Sequence, residues 1–272
     1  MNADIKSVKK LAYDKLRGCW GDEIMVFLLN SAVMVLCFGV FLTVYACFLR
    51  NDIISGDIRR IFSESPVFVG ISALVGILAY MVSAPAYIGS CWWTIHYVRD
   101  DSKDVKCLLS CYSTPRVFFR SMQMKLASDI PCTLLLAAVF GVYFLCDTLI
   151  SPLDGTGYVI ASVFKWVITL AALLAVFGLI LRFAAVPYIY CLNHDDGCIE
   201  NIKHCFRLTS QNKQLMRDTA AVFLKSFPII AIVISCIFIF PYCCTLFAAV
   251  CLKMSEAENI PEKADENDVK DD

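Results

Sequence analysis

Two ionisable side chains, Asp147 and Lys165, stand in apolar stretches where charge is otherwise almost absent. A charged group within a membrane-spanning segment is costly and is therefore a candidate for function. Asp147 precedes the short segment 151–157 and Lys165 follows it, so two antiparallel helices would bring the side chains together, directly or through water. The pair predicts a contact for a substrate or a proton, or else a structural ion pair that offsets the cost of burial. A Lys165 that extends to the membrane surface is a further structural alternative.

A second set of polar residues has the side-chain types of metal ligands: His194, Asp195, Asp196, Cys198, His204 and Cys205. Histidine, thiolate and carboxylate groups do bind zinc, but their order here matches no closed-site spacing. Asp195 or Asp196 is also a suitable N-terminal cap for the helix that follows. We therefore expect no metal and no cofactor.

Catalytic motifs are missing from the sequence. It contains no Walker lysine loop, no serine-hydrolase turn, no zinc-protease helix and no glycine-rich dinucleotide turn. We identify no catalytic residue and expect that the protein is not an enzyme.

Long apolar stretches must position these residues. Apolar residues make up 58% of the 272-residue chain and the mean hydropathy is +0.65, whereas about 20 apolar residues suffice for one membrane span. We predict an all-α integral membrane fold with five or six transmembrane helices. The predicted spans are 24–49, 66–98, 127–150, 158–192 and a final region 219–252, which is one bent span or a hairpin of two short ones.

Proline interrupts the longest stretches. Pro85 and Pro187 lie in the second halves of their spans, where we expect the helix to kink or restart. Residues 1–253 form one helical membrane domain in this interpretation. The remaining segment, 254–272, is acidic and free of aromatic residues, which predicts a disordered tail.

The distribution of Lys and Arg predicts the orientation. The N-terminal arm, 99–125 and 182–217 carry sixteen Lys and Arg residues together, whereas the alternate loops carry three. Positive loops remain on the cytoplasmic side, so we predict a multi-pass protein with its N-terminus in the cytoplasm. The fifteen cysteines contain no CxxC pair and lie mostly in apolar stretches, so we interpret them as reduced packing residues.

Three short amphipathic helices are predicted at the cytoplasmic interface. Their apolar positions, with the tryptophan that follows the first, are Ile5, Val8 and Trp20; Val105, Leu108 and Tyr112; and Ile199, Ile202 and Phe206. A proline–tyrosine segment follows each helix after apolar chain: Pro85 and Tyr87, Pro187 and Tyr188, Pro241 and Tyr242. The pattern favours a threefold internal repeat with units 4–98, 103–192 and 197–252, although matches this short also arise by chance.

Several of these residues also carry a family resemblance. Gly18-Cys19-Trp20-Gly21 after a basic helix, Pro187-Tyr188-Ile189, the helix from Ile199, and Pro241-Tyr242 before Ala248-Ala249 occur in this order. In this order the chain resembles an uncharacterised family of multi-pass membrane proteins from Gram-positive anaerobic bacteria, a domain of unknown function. The resemblance implies a protein of the bacterial plasma membrane with about six spans and both termini inside, and it implies no activity.

Two functions remain open on this basis. The first is a non-enzymatic scaffold, accessory subunit or lipid-sensing component, which would bind anionic lipids through its basic amphipathic helices and contact a protein partner. The second is a transport component for a small solute or lipid, which the proline-containing helices favour. Neither interpretation involves nucleic acid.

Overall fold

The computed structural model describes residues 5–17, 19–32, 35–36, 39, 43, 66–100, 106–150, 155–193, 197–230 and 233–268. The elements are helical throughout this part of the chain. In chain order they are α1 (Ile5–Leu16), α2 (20–32), α3 (Pro66–Asp100), α4 (Lys106–Leu109) with a 3-10 turn (Ser110–Tyr112), α5 (Pro115–Ile150), α6 (Gly155–Leu192), α7 (Cys198–Gln211), α8 (Lys213–Ile230) and α9 (Val233–Asp268).

Four of these helices are long and apolar enough to cross a membrane. The qualifying segments are Ala73–Asp100, Pro115–Ile150, Gly155–Leu192 and Phe238–Glu258. They correspond to four of the predicted apolar regions. The first predicted span, 24–49, falls largely outside the described residues, although 20–32 is helical.

Burial divides these helices into two parts. The packed body comprises 84–98, 108–128, 181–191, 205–219 and 241–254 with the apolar faces of α1 and α2. Its large apolar side chains are mostly buried, except in 108–128, where only Leu108 and Met124 are. The exposed hairpin comprises 130–150 of α5 and 155–179 of α6, and its large apolar side chains are mostly exposed. Such an apolar surface is stable only where something other than water covers it.

The interior of the packed body brings together helices that are distant in sequence. Val8, Ala12 and Leu16 of α1 are fully buried, and α1 packs against α9. Gly89 of α3 lies so close to the Leu108 carbonyl of α4 that a Cβ at position 89 would overlap it. The absence of a side chain at position 89 therefore allows the short α4 to pack directly on α3.

The prolines that were expected to kink or restart the long spans lie within continuous helices. α3 continues through Pro85 and α6 continues through Pro187. A proline leaves the carbonyl four residues earlier without its helical donor, and for Pro187 that carbonyl belongs to Phe183. Ser128 of α5 donates its hydroxyl to the Phe183 oxygen at 2.9 Å. The replacement donor comes from the neighbouring helix, which is why α6 need not break there.

The final apolar region forms two helices that pack against each other. α8 ends at Ile230 and α9 begins at Val233, with residues 231–232 outside the described part. The rings of Phe223 and Phe247 lie 5.8 Å apart between them.

The acidic segment 254–272, for which disorder stays a prediction, begins as a continuation of α9. α9 continues as helix to Asp268, and only 269–272 lie outside the described residues. Glu258 explains the start of this extension, because it forms ion pairs with His204 and Arg207 of α7. Lys253 and Glu256 add a pair at 2.7 Å within the helix.

Candidate functional site

The predicted intramembrane pair lies in the exposed hairpin. Lys165 Nζ is 2.6 Å from Asp147 Oδ1, which is within the direct distance expected from the sequence, and 3.4 Å from the Tyr143 hydroxyl. The Tyr143 ring centroid lies 4.5 Å from the same ammonium. The Lys165 side chain is 8% exposed, whereas that of Asp147 is 54% exposed. The ammonium is therefore surrounded by a carboxylate and an aromatic face, as a structural ion pair requires.

The proline–tyrosine segments all belong to the packed body. Pro85, Pro187 and Pro241 are buried, and Tyr188 is only 5% exposed. The Tyr188 ring meets Phe247 edge-on, with centroids 5.3 Å apart. Tyr87 and Tyr242 are half-buried against the same core. These side chains fill the body, which is the arrangement of packing residues.

A further polar cluster, which the sequence did not single out, joins α3 to α5. Lys125 Nζ donates to Asp129 Oδ1 at 2.7 Å, and Tyr80 donates its hydroxyl to Asp129 Oδ2 at 3.1 Å. The Lys125 ammonium also lies 3.9 Å from the centroid of the Tyr87 ring. The spacing of Lys125 and Asp129 was a visible signal, because residues four apart share a helix face. Nothing in the sequence indicated the partners from α3.

The residues with metal-ligand side chains are arranged differently from a metal site. Among the described residues, no group of three histidine, cysteine or acidic side chains could hold a metal ion. His194, Asp195 and Asp196 lie outside those residues. His204 Nε2 lies 2.7 Å from Glu258 Oε2, and the Cys205 thiol donates to the Arg182 carbonyl at 3.3 Å. Burial raises the pKa of Cys205 to about 12, so this thiol stays protonated at neutral pH.

The predicted interfacial helices contribute more to the packed body than expected. Val8 and Leu108 are buried, Ile5, Ile202 and Phe206 are half-buried, Ile199 and Tyr112 are exposed, and Val105 lies outside the described residues. Trp20 contacts Phe238 of α9, with ring centroids 6.3 Å apart.

The buried face of α7 is not the face predicted from Ile199, Ile202 and Phe206. Cys205, Leu208 and Thr209 are fully buried instead, and Ile199 is 68% exposed. Thr209 can be buried because its hydroxyl donates to the Cys205 carbonyl at 2.9 Å. The pattern of apolar residues gave no signal for the burial of Thr209.

Fold and site together define an all-helical protein with four helices of membrane-spanning length and no recognised catalytic or metal centre among the described residues. No protein-family model matches the chain, and neither a curated protein nor a solved structure is similar to it. The family resemblance proposed from the sequence stays a prediction.

Proposed function

We propose that the protein is a non-enzymatic scaffold or accessory subunit of a bacterial plasma membrane that contacts anionic lipid at the cytoplasmic face. The observation that carries the proposal is the filled interior of the packed body. A transporter needs a cavity near its broken helices, whereas here Pro187, Tyr188 and Ile189 are all buried in a continuous apolar core. A filled body with charged surfaces is suited to holding other molecules in place.

The proposed topology has six spans with both termini in the cytoplasm. α3, α5, α6 and α9 supply four spans, 24–49 supplies the first, and α8 pairs with α9 in the final hairpin. The excess of Lys and Arg in the N-terminal arm and in 99–125 supports this orientation. The packed body then lies on the cytoplasmic side and includes the cytoplasmic parts of the spans α3 and α9, and the exposed hairpin crosses the bilayer. An epitope inserted between residues 151 and 154 should be accessible on intact cells, and an N-terminal epitope should not; the reverse would refute the orientation.

The proposed lipid contacts are the basic faces of the short helices. Lys10 of α1 and Lys203 of α7 are exposed while the apolar sides of both helices pack inward. Each cation near an anionic surface contributes about 1 kcal/mol of attraction. The threefold repeat stays part of the proposal, supported by the three buried prolines that all lie in the packed body.

Isolation of the protein from its native membrane tests the scaffold function. The full chain, tagged and gently crosslinked, is purified in a mild detergent and analysed by mass spectrometry. We expect one or more protein partners at a reproducible stoichiometry that an unrelated tagged membrane protein of similar size does not retain. A chain that is recovered without any partner under these conditions contradicts the scaffold function.

A second candidate function is transport, which one observation favours. The buried Lys165 ammonium, paired with Asp147 in the exposed hairpin, is a charged group within a proposed membrane span. Purified protein in sealed proteoliposomes distinguishes the two functions. Saturable solute or lipid movement that Asp147→Asn abolishes supports transport, and its absence beside a stable protein partner supports the scaffold.

A further inference from the structure

A cleft of about 300 Å³ lies between α6 and α8. Three cations line it: Arg182 from α6, and Lys213 and Arg217 from α8. The rest of its wall is apolar or small, and no acidic side chain lines it. Its size lies at the lower end of the range of small-molecule sites, roughly 300–1,000 Å³.

The cations of this cleft have no carboxylate partner within the described part of the chain. Lys213 and Arg217 are four residues apart on one helix, and like charges at this spacing repel each other. Arg182 is half-buried and brings a third positive charge from the facing helix. Among the residues that the structure describes, no carboxylate pairs with any of the three cations. An anion bound between them would remove the repulsion and satisfy several guanidinium and ammonium donors together.

The apolar half of the cleft extends toward the exposed hairpin. Ala175, Gly178 and Leu179 line it, and a Cβ at position 178 would meet no atom within 4 Å. Leu174 and Leu170, one and two turns from Gly178 toward the tip of the exposed hairpin, are large and exposed. One face of α6 therefore places the cations of the cleft next to an apolar surface.

The level of the cleft along α6 agrees with the position of a lipid headgroup. The large side chains of α6 are mostly exposed up to Leu179 and mostly buried from Leu181. Arg182 lies directly at this change, where apolar surface that lipid would cover gives way to the packed body. In the proposed topology this level is the boundary between the hydrocarbon and the headgroups of the cytoplasmic leaflet.

We propose that the cleft binds the phosphate of one anionic phospholipid of the cytoplasmic leaflet, with Arg182, Lys213 and Arg217 around the phosphate and an acyl chain along Gly178 and Leu174. Basic pockets between membrane helices on the cytoplasmic side are suited to such headgroups. The inference rests on the proposed function, because that function places this end of α6 at the cytoplasmic leaflet.

Native mass spectrometry of the full chain tests the site. The protein is released from nanodiscs of mixed phosphatidylglycerol and phosphatidylcholine, and the retained lipid is counted. We expect one retained phosphatidylglycerol, and the variant Arg182→Gln with Arg217→Gln should weaken retention by about tenfold or more, because charge-assisted hydrogen bonds are lost. The variant Arg116→Gln with Lys225→Gln is the matched control, because it removes the same net charge from exposed positions outside the cleft. An equal loss in both double variants would overturn the site in favour of general surface attraction.

A second variant tests the cleft without changing charge. Gly178→Leu adds a side chain to the apolar half and raises helix propensity, so we expect the fold to persist and lipid retention to fall. Soluble glycerol phosphate and inorganic phosphate serve as competitors. If either displaces phosphatidylglycerol at comparable concentration, the occupant is a free phosphate compound and the lipid proposal is wrong.

The failure of this inference differs from the failure of the proposed function. If phosphatidylglycerol retention is equal in the wild type and the cleft variants, the cleft is not a lipid site, whereas a co-purifying partner still supports the scaffold. If the epitopes show the opposite orientation, the proposed topology fails and with it the assignment of this cleft to the cytoplasmic leaflet.

Discussion

The buried carboxyl of Glu23 should make the stability of the folded protein depend on pH. Glu23 is 2% exposed. It lies near the N-terminal end of α2, directly before the first predicted span. Thr245 Oγ1 lies 3.0 Å from Glu23 Oε1 and also 3.0 Å from the Pro241 carbonyl oxygen. A threonine hydroxyl has one hydrogen and cannot donate to both acceptors. A proton on Glu23 satisfies all three groups, because the carboxyl then donates to Thr245 and Thr245 donates to Pro241.

The size of the effect follows from the pKa. Burial raises the pKa of Glu23 from 4.5 to about 7, with a smaller contribution from the negative charge of Asp22, while the Thr245 hydrogen bond acts in the opposite direction. Below pH 4.5 the carboxyl is neutral in both folded and unfolded chains and costs nothing. Between pH 4.5 and about 7 the unfolded chain loses its proton first, so the folded state becomes less stable as the pH rises. At about 1.4 kcal/mol for each pH unit, the loss amounts to about 3 kcal/mol.

The variant Glu23→Gln tests this reasoning. Glutamine is neutral and similar in shape to the protonated acid, so the variant should match the wild type near pH 4 and exceed its stability above pH 7. A difference of about 3 kcal/mol corresponds to roughly 6–12 °C in Tm. Thermal unfolding in one detergent at a fixed scan rate, from pH 4 to 8, measures it. Asp14→Asn, which removes an exposed carboxylate from α1, is the control. Parallel profiles of Tm against pH for the wild type and Glu23→Gln would refute the protonation of Glu23 in the folded protein.

Three other predictions follow from the packing and can be measured on the same material. Gly89→Ala should lower the free energy of unfolding by about 1–3 kcal/mol, because the new methyl group meets a backbone carbonyl that cannot move aside, whereas Gly76→Ala, which meets no atom within 4 Å, should not. Asp147→Asn should lower the Tm more than Lys165→Met does, because it leaves the ammonium of Lys165 without its carboxylate partner, and the double variant should recover part of the loss. Cys205 should resist alkylation at pH 8 in the folded protein and react once the protein is unfolded; rapid labelling of the native state would contradict its burial.

The long helices could be predicted from the sequence because runs of apolar residues have no other stable arrangement in lipid. The continuity of α6 could not, because it depends on a contact between helices. Pro187 removes a donor from its own helix, and only the folded chain places Ser128 beside the freed carbonyl of Phe183. A proline in a sequence therefore predicts the loss of one hydrogen bond, but not whether the helix breaks there.

The same distinction applies to the polar residues. Asp147 and Lys165 are close in sequence and lie on the consecutive helices α5 and α6, so their approach could be predicted from topology alone. The partners Tyr80 and Asp129 are 49 residues apart, and His204 and Glu258 are 54 apart. Such pairs depend on which helices pack together. The three cations of the cleft share this property, since Arg182 reaches the cleft from α6 and Lys213 and Arg217 reach it from α8.

The contrast between the packed body and the exposed hairpin has a consequence for hydrophobic mismatch. The stretch 130–150 of α5 measures about 30 Å at 1.5 Å per residue, close to the hydrocarbon thickness of an average bilayer. In the proposed topology a thinner membrane is accommodated by tilting of this hairpin, at a cost of a fraction of a kcal/mol per Å. The hydrogen bond from Ser128 to the Phe183 carbonyl lies where the exposed hairpin joins the packed body. A change in bilayer thickness therefore acts on the exposed hairpin before it reaches the packed body.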